Sequence, residues 1–385
     1  MSKTPRLLMS AVLMGSVLHA AQGKHPEIPA VSEKMTEIVQ AHEIAGAVTL
    51  VADEKNTLHL SAVGMADLET KRPMKTDDVF WIASMTKPVT AAAVMMMQEQ
   101  GKLSVDDPVE KYLPEFSHLK DAAGNKVTIT LKQCLTHSSG LSEVSVEETA
   151  KVATLAELMP LIAAKPVQFA PGGRWQYCQT GINTAARVVE VVSNESFPGF
   201  LETHLFGPLG MKDTTFYPDE KLAARLATSY RKADGNLEKV PIGFLGGKSL
   251  TDKNRYPRAN GGLFSTAEDY SKFARMILNG GELDGRRYLK PESVKLMTTV
   301  QSGGLQTGFT PGCAWGLGWC VVREPQGVSA ALSPGSFGHG GAFGTQAWID
   351  PVKKRVHLLF IQRADLPNSD GSDMRKALHE TAAGS

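Results

Sequence analysis

Cysteine is scarce in this chain, with four residues among 385 (Cys134, Cys178, Cys313 and Cys320). So few cannot form a disulfide framework, and their spacing matches no structural zinc site. A His-Glu-x-x-His helix is missing as well, so no metal site is expected, and no cofactor. The chain has no Gly-x-Ser-x-Gly elbow, which disfavours an α/β-hydrolase esterase. An excess of one charge is also lacking: 41 Lys and Arg stand against 40 Asp and Glu. There is no basic patch for nucleic acid and no acidic tail.

Only one long apolar run is found, Leu7 to Leu18. Lys3 and Arg6 precede it, and the small residues of Ala21-Gln22-Gly23 follow. This is the layout of a secretory signal peptide over residues 1–23, with an uncleaved N-terminal anchor as the alternative. The run is short for a membrane span, so no stable span is expected and the location is read as periplasmic or secreted. In an exported protein a Cys313–Cys320 disulfide is open as the pair nearest in sequence, although buried free thiols are expected for most of the four.

The rest is ordinary globular composition, 42% apolar and 21% charged, long enough for a large core. Apolar spacing predicts a helix over 26–42. Strands over 46–52 and 58–64 form a hairpin around Asp53-Glu54-Lys55-Asn56. A helix from Ser84 to about Gln100 is apolar on most sides and belongs in the interior. Asp107 reads as the N-cap of a short helix that Pro108 opens. Residues 128–300 read as mainly helical, including a helix over 265–279 whose Glu268 completes a capping box. Strand character returns only near the end, at 316–322, 338–339, 345–349 and 355–362, before a closing helix over 370–381. The expected fold class is therefore α+β: an antiparallel sheet flanked by helices, built from residues 24–85 and 300–385. A mainly helical domain, 86–299, is inserted, and the site lies at the junction.

Three stretches can carry chemistry. Ser84-Met85-Thr86-Lys87 sets a hydroxyl and an amine three residues apart, on one side of a helix start fixed by Pro88. A desolvated lysine is able to activate such a serine. Tyr177-Cys178-Gln179 follows the turn at Pro171-Gly172-Gly173, and its phenol matters if a cation such as Lys87 faces it. Gly338-His339-Gly340-Gly341-Ala342 lies between two strands, where glycines let a substrate approach the backbone and amides could face an oxyanion.

In order, these stretches resemble the serine hydrolases related to class C β-lactamases, D-alanyl-D-alanine carboxypeptidases and family VIII esterases. Further matches carry the resemblance across residues 30–365. They are Gly101-Lys102-Leu103 through Tyr112-Leu113-Pro114-Glu115-Phe116, Leu135-Thr136-His137-Ser138-Ser139-Gly140-Leu141, Pro208-Leu209-Gly210-Met211-Lys212-Asp213-Thr214 and Gly261-Gly262-Leu263-Phe264-Ser265-Thr266. The resemblance implies a β-lactamase/transpeptidase-like fold. It also implies Ser84 as nucleophile, Lys87 and Tyr177 as general base and acid, and the amides of Ser84 and Ala342 as oxyanion hole. Gln179, His339, Gly340 and Gly341 are implied as substrate-binding. Two positions depart from the pattern. Gln179 replaces the usual asparagine of Tyr-x-Asn, and His339 stands where the β-lactamases have the lysine of Lys-Thr-Gly. A neutral imidazole there would not hold a β-lactam carboxylate as a fixed cation does. An exported esterase acting through an acyl-enzyme is expected, on small-molecule ester, amide or β-lactam substrates. The alternatives are a carboxypeptidase or class C-like β-lactamase, and a non-hydrolytic binding or sensor protein on the same fold.

Overall fold

The computed structural model describes residues 25–383; the signal peptide expected over 1–23 lies outside them. Strand Gly46–Ala52 is apolar at nearly every position and buried along its whole length, as befits a strand covered on both faces. It pairs antiparallel with Thr57–Asp67 across the expected turn, where Asp53 Oδ1 accepts the amides of Lys55 and Asn56. On its other side it pairs with Arg355–Phe360, Val48 opposite Phe360. The two ends of the chain thus meet in the middle of one eight-stranded sheet. From one edge the order is Cys313–Trp315, Cys320–Val322, Phe337–Gly340, Gln346–Asp350, Arg355–Phe360, Gly46–Ala52, Thr57–Asp67 and Arg72–Pro73, antiparallel throughout.

Alternation along these strands divides the core. Ala47, Val51 and Leu359 face helices Pro29–Gln40 and Asp373–Ala383, meeting Val31, Met35, Met374 and Leu378. Val48, Leu50, Leu358 and Phe360 face the opposite way, into a larger core that runs without a break into the helical region. Helix Thr86–Glu99 lies within that core, buried at every position from Thr86 to Met97, and the left-handed Gly101 follows its end.

Several local expectations are corrected. Helix Ala267–Leu278, expected within the inserted domain, packs on the sheet strands. Thr266 caps it through the amide of Asp269. The third helical residue is Asp269 rather than Glu268, and its carboxylate serves Asp213 and Thr214 instead of closing a capping box. Asp107 caps nothing: its carboxylate gathers the Ser104 amide, the Lys111 amine and the Tyr112 hydroxyl. The expected strand over 316–322 is the second arm of a tight hairpin, turning at Gly316–Trp319 where the Gly316 amide reaches the Trp319 carbonyl. The middle of the chain is not free of strand. Tyr230–Ala233 and Asn236–Lys239 form a hairpin that pairs with Arg363–Ala364. That pattern is polar on both sides and so lacks the apolar alternation by which strands are read.

Candidate active site

Ser84 sits in a 3-10 turn, Ala83–Met85, immediately before the buried helix. The turn is held from several sides. Strand Phe80–Trp81 pairs with Phe264–Ser265, Trp81 Nε1 donates to the Gly261 carbonyl at 2.7 Å, and the Tyr270 hydroxyl donates to the Met85 carbonyl at 2.9 Å. Ala83 adopts φ +44°, a conformation that costs a residue with a Cβ about 1–2 kcal/mol. That strain is confined to the residue before the serine hydroxyl.

Lys87 lies one helical turn further on, and its side chain is fully buried. Its Nζ is 3.0 Å from Ser84 Oγ, 2.7 Å from Gln179 Oε1 and 2.7 Å from the Asn260 carbonyl. Burial pulls its pKa down from 10.5 to about 7, against opposing pulls from Glu143, Cys178 and Asp370. That difference is worth about 5 kcal/mol between charged and neutral forms. Near neutral pH an unprotonated amine therefore faces the serine hydroxyl.

Tyr177 arrives from the loop before helix Gln179–Ser193. Its ring packs against His137 at 4.5 Å and Phe309 at 4.6 Å, and Lys87 Nζ lies 4.5 Å from its centre. Burial drives the phenol pKa well above the ordinary value, against the opposing pull of the nearby Ser84 side chain, so it keeps its proton. His137 is pinned by the Cys178 amide on Nδ1 and acts as a wall behind the tyrosine. The Cys178 thiol is turned to the Leu141 carbonyl and pushed by burial up to about 12, so it is not a nucleophile. All four cysteines are free thiols.

The third stretch closes from the sheet. His339 Nδ1 lies 2.7 Å from the Gly340 carbonyl, which can only accept, so Nδ1 carries the proton. The Nε2 lone pair then faces the Tyr177 hydroxyl at 3.4 Å. Burial, with Lys87 nearby, lowers the imidazole to about 3, so it is neutral across the working range. Gly340 and Gly341 are glycines for the protein's own packing and not to admit a ligand. A Cβ at 340 would meet Asp370 Oδ1 at 2.1 Å, and one at 341 would meet Thr345 Oγ1 at 2.1 Å and the Ile82 carbonyl at 2.7 Å. The Gly341 amide is committed to Thr345. The next residue, Ala342, is exposed.

The structure thus links Ser84, Lys87 and Gln179 in one run of contacts, with Tyr177 against Lys87 and His339 against Tyr177, and Gly341 beside Ile82 at the turn that carries the serine. Gln179 faces elsewhere than expected: its amide oxygen serves Lys87 and Asn260 Nδ2 (2.9 Å). Asn260 was not legible from sequence, although it directly precedes the Gly261–Thr266 stretch. Its amide is in turn held by Asn183 Oδ1.

An antiparallel sheet flanked by helices, with serine, lysine and tyrosine meeting beside its Phe337–Gly340 strand, defines a serine hydrolase of β-lactamase/transpeptidase-like fold. The chain belongs to the beta-lactamase family, whose sequence profile matches residues 31–382. It is 32% identical over 356 residues to Protein Rv1367c of Mycobacterium tuberculosis, covering 85% of this chain and 88% of that one. It is 28% identical over 344 residues to Esterase EstB of Burkholderia gladioli, covering 82% and 85%. Among solved structures, EstCE1, described as a hydrolase with promiscuous acyltransferase activity, superimposes with a TM-score of 0.79 at 25% identity, covering 92% of this chain and 97% of that one.

Proposed function

We propose that this protein is an exported esterase that works through an acyl-enzyme on Ser84. The observation that carries the reading is the 3.0 Å contact between Ser84 Oγ and a buried Lys87 amine poised near neutrality. Neutral Lys87 takes the hydroxyl proton as Ser84 adds to the ester carbonyl. The amides of Ser84 and Ala342 hold the developing oxyanion. Tyr177, protonated and close to the serine oxygen, delivers a proton to the departing alkoxide, and Lys87 restores it to the phenol. Water then attacks the acyl-serine with Lys87, again neutral, as base. The resemblance to Esterase EstB supports ester chemistry, and that to EstCE1, a hydrolase with acyltransferase activity, supports an acyl-enzyme. The neutral His339 supports it further, because this face of the site offers no fixed cation for a β-lactam carboxylate. The basic, apolar, small-residue order of residues 1–23 supports export.

A fluorophosphonate probe is expected to label Ser84, and Ser84→Ala to lose both labelling and turnover of p-nitrophenyl esters. Full turnover by the alanine variant would overturn the mechanism. Rates on p-nitrophenyl esters, nitrocefin and a D-Ala-D-Ala peptide, measured side by side, are expected to rank in that order. A higher rate on either of the last two assigns the protein to the β-lactamase or carboxypeptidase branch.

A further inference from the structure

Beyond the partners of Lys87 lies a cleft of about 310 Å³, with Gln179, Asn260, Tyr256 and Arg258 among its walls. Tyr256 and Arg258 also line a narrower recess of about 60 Å³ that continues it. Three cationic side chains, Arg255, Arg258 and Lys248, line that recess, and no carboxylate among the described residues does.

Arg255 is incompletely hydrogen-bonded. Arg255 is only 6% exposed. Its Nη2 donates to the carbonyls of Phe216 and Leu250, whereas Nε and Nη1 have no partner among the described residues. Its guanidinium rests 4.8 Å from the centre of the Tyr217 ring. Arg258 donates to Thr149 Oγ1 at 3.2 Å and lies over the rings of Tyr256 and Phe244, 5.0 and 5.5 Å from their centres. Neither arginine forms an ion pair among the described residues. Asp252, whose charge Arg255 feels, instead accepts the Asn254 amide. Glu143 borders the wider cleft, but its oxygens are taken by the amides of Gln179 and Thr180 and by the Thr180 hydroxyl. A buried guanidinium with orphaned N–H groups is costly unless an anion completes it, and its planar fork matches a carboxylate.

The position of the recess relates it to the reaction. Arg258 and Asn260 are two residues apart on one segment. The Asn260 carbonyl binds Lys87, and Gly261 abuts the Ser84 amide. In the mechanism above the leaving group takes its proton from Tyr177. Gln179 and Asn260, the two residues that hold Lys87, form the wall of the cleft nearest the serine. We propose that the recess binds a carboxylate at the far end of the acyl chain, so that half-esters of dicarboxylic acids are the preferred substrates. This rests on the esterase reading of Ser84.

The test compares p-nitrophenyl hexanoate and octanoate with the mono-p-nitrophenyl esters of adipate and suberate. The carboxylate-tipped esters are expected to show at least a tenfold advantage in kcat/KM, carried mainly by KM and shrinking as NaCl is raised. Arg258→Met is expected to abolish the advantage and Arg258→Lys to keep part of it. Arg255, tied to two carbonyls, is left intact so that folding does not confound the result. Equal rates on both series in the wild type, or an advantage that survives Arg258→Met, overturn the proposal. Binding is read separately from hydrolysis by titrating adipate into Ser84→Ala by calorimetry, with and without Arg258→Met. Binding that Arg258→Met abolishes sustains the carboxylate site even if Ser84 proves not to be the nucleophile. Inorganic phosphate binding as tightly as adipate would mark a free-anion site and overturn the assignment to substrate.

Discussion

A lysine amine gains its chemical use here from what surrounds it. Lys87 is fully buried and has three hydrogen-bond acceptors but, among the described residues, no carboxylate in ion-pair contact, so desolvation dominates and lowers its pKa to about 7. The neutral form is the base, and the base is lost as pH falls. We expect kcat/KM on a neutral ester to fall about tenfold per pH unit below about 7. His339, at about 3, contributes no limb in that range. An acid limb near 4 to 5 in a stopped-flow pH profile would assign the base elsewhere. Gln179 sharpens this. Its amide oxygen accepts from Lys87 and stabilises the cation more than the neutral amine. Gln179→Leu is therefore expected to move the acid limb to lower pH while reducing kcat/KM about ten- to a hundredfold, the cost of one hydrogen bond to a charged group. A variant with lower activity but an unmoved limb would show Gln179 acting on substrate alone. Of these residues, Ser84, Lys87, Tyr177 and His339 were legible from local motifs. Asn260 was not, because it touches Lys87 through a backbone carbonyl, which carries no residue-type signature.

The nucleophile helix illustrates a different balance. Thr86–Glu99 is buried on all sides, so its stability comes from packing rather than from an amphipathic face. Met95→Ala, at a fully buried position of the largest core, is expected to cost about 2–4 kcal/mol in denaturant unfolding, since Met-to-Ala cavities fall in that range. Helix ends were harder to place. Thr130 forms a complete capping box with Gln133, and Thr130→Ala is expected to cost about 1 kcal/mol. At 265–268 the sequence offers an equally plausible box. Its frame shifts by one residue because Asp269 is drawn to the amide of Asp213 and the hydroxyl of Thr214. Local spacing cannot register such a competitor from 55 residues away.

At the scale of the molecule, the fold depends on a strand from each end of the chain. Val48 lies opposite Phe360, and residues 74–312, between strands Arg72–Pro73 and Cys313–Trp315, are a closed excursion from one sheet. The final helix, Asp373–Ala383, seals the outer face over Leu359 and Ile361. Deleting residues 370–385 uncovers that cluster and is expected to give insoluble or molten protein, read as loss of the cooperative unfolding transition and gain of dye binding. Cooperative unfolding at an unchanged midpoint would show the helix to be dispensable. No helix of the described residues is long and apolar enough to cross a membrane.

By itself the sequence determined the periodicities, and hence strands at both ends, a buried central helix and an α+β fold. It also set the short-range chemistry of Ser84 with Lys87, because a three-residue helical spacing is fixed by backbone geometry alone. The folded structure decided what depends on distant segments. Gln179 turns to Lys87, Asn260 enters the site, and the space beside Gly340 and Gly341 is filled by Asp370 and Thr345. Arg255 and Arg258 are brought to one recess without an acid. The physical reason is desolvation. Lys87 near 7, His339 near 3 and a protonated Tyr177 result from water excluded by segments up to some 260 positions apart, which no local pattern encodes.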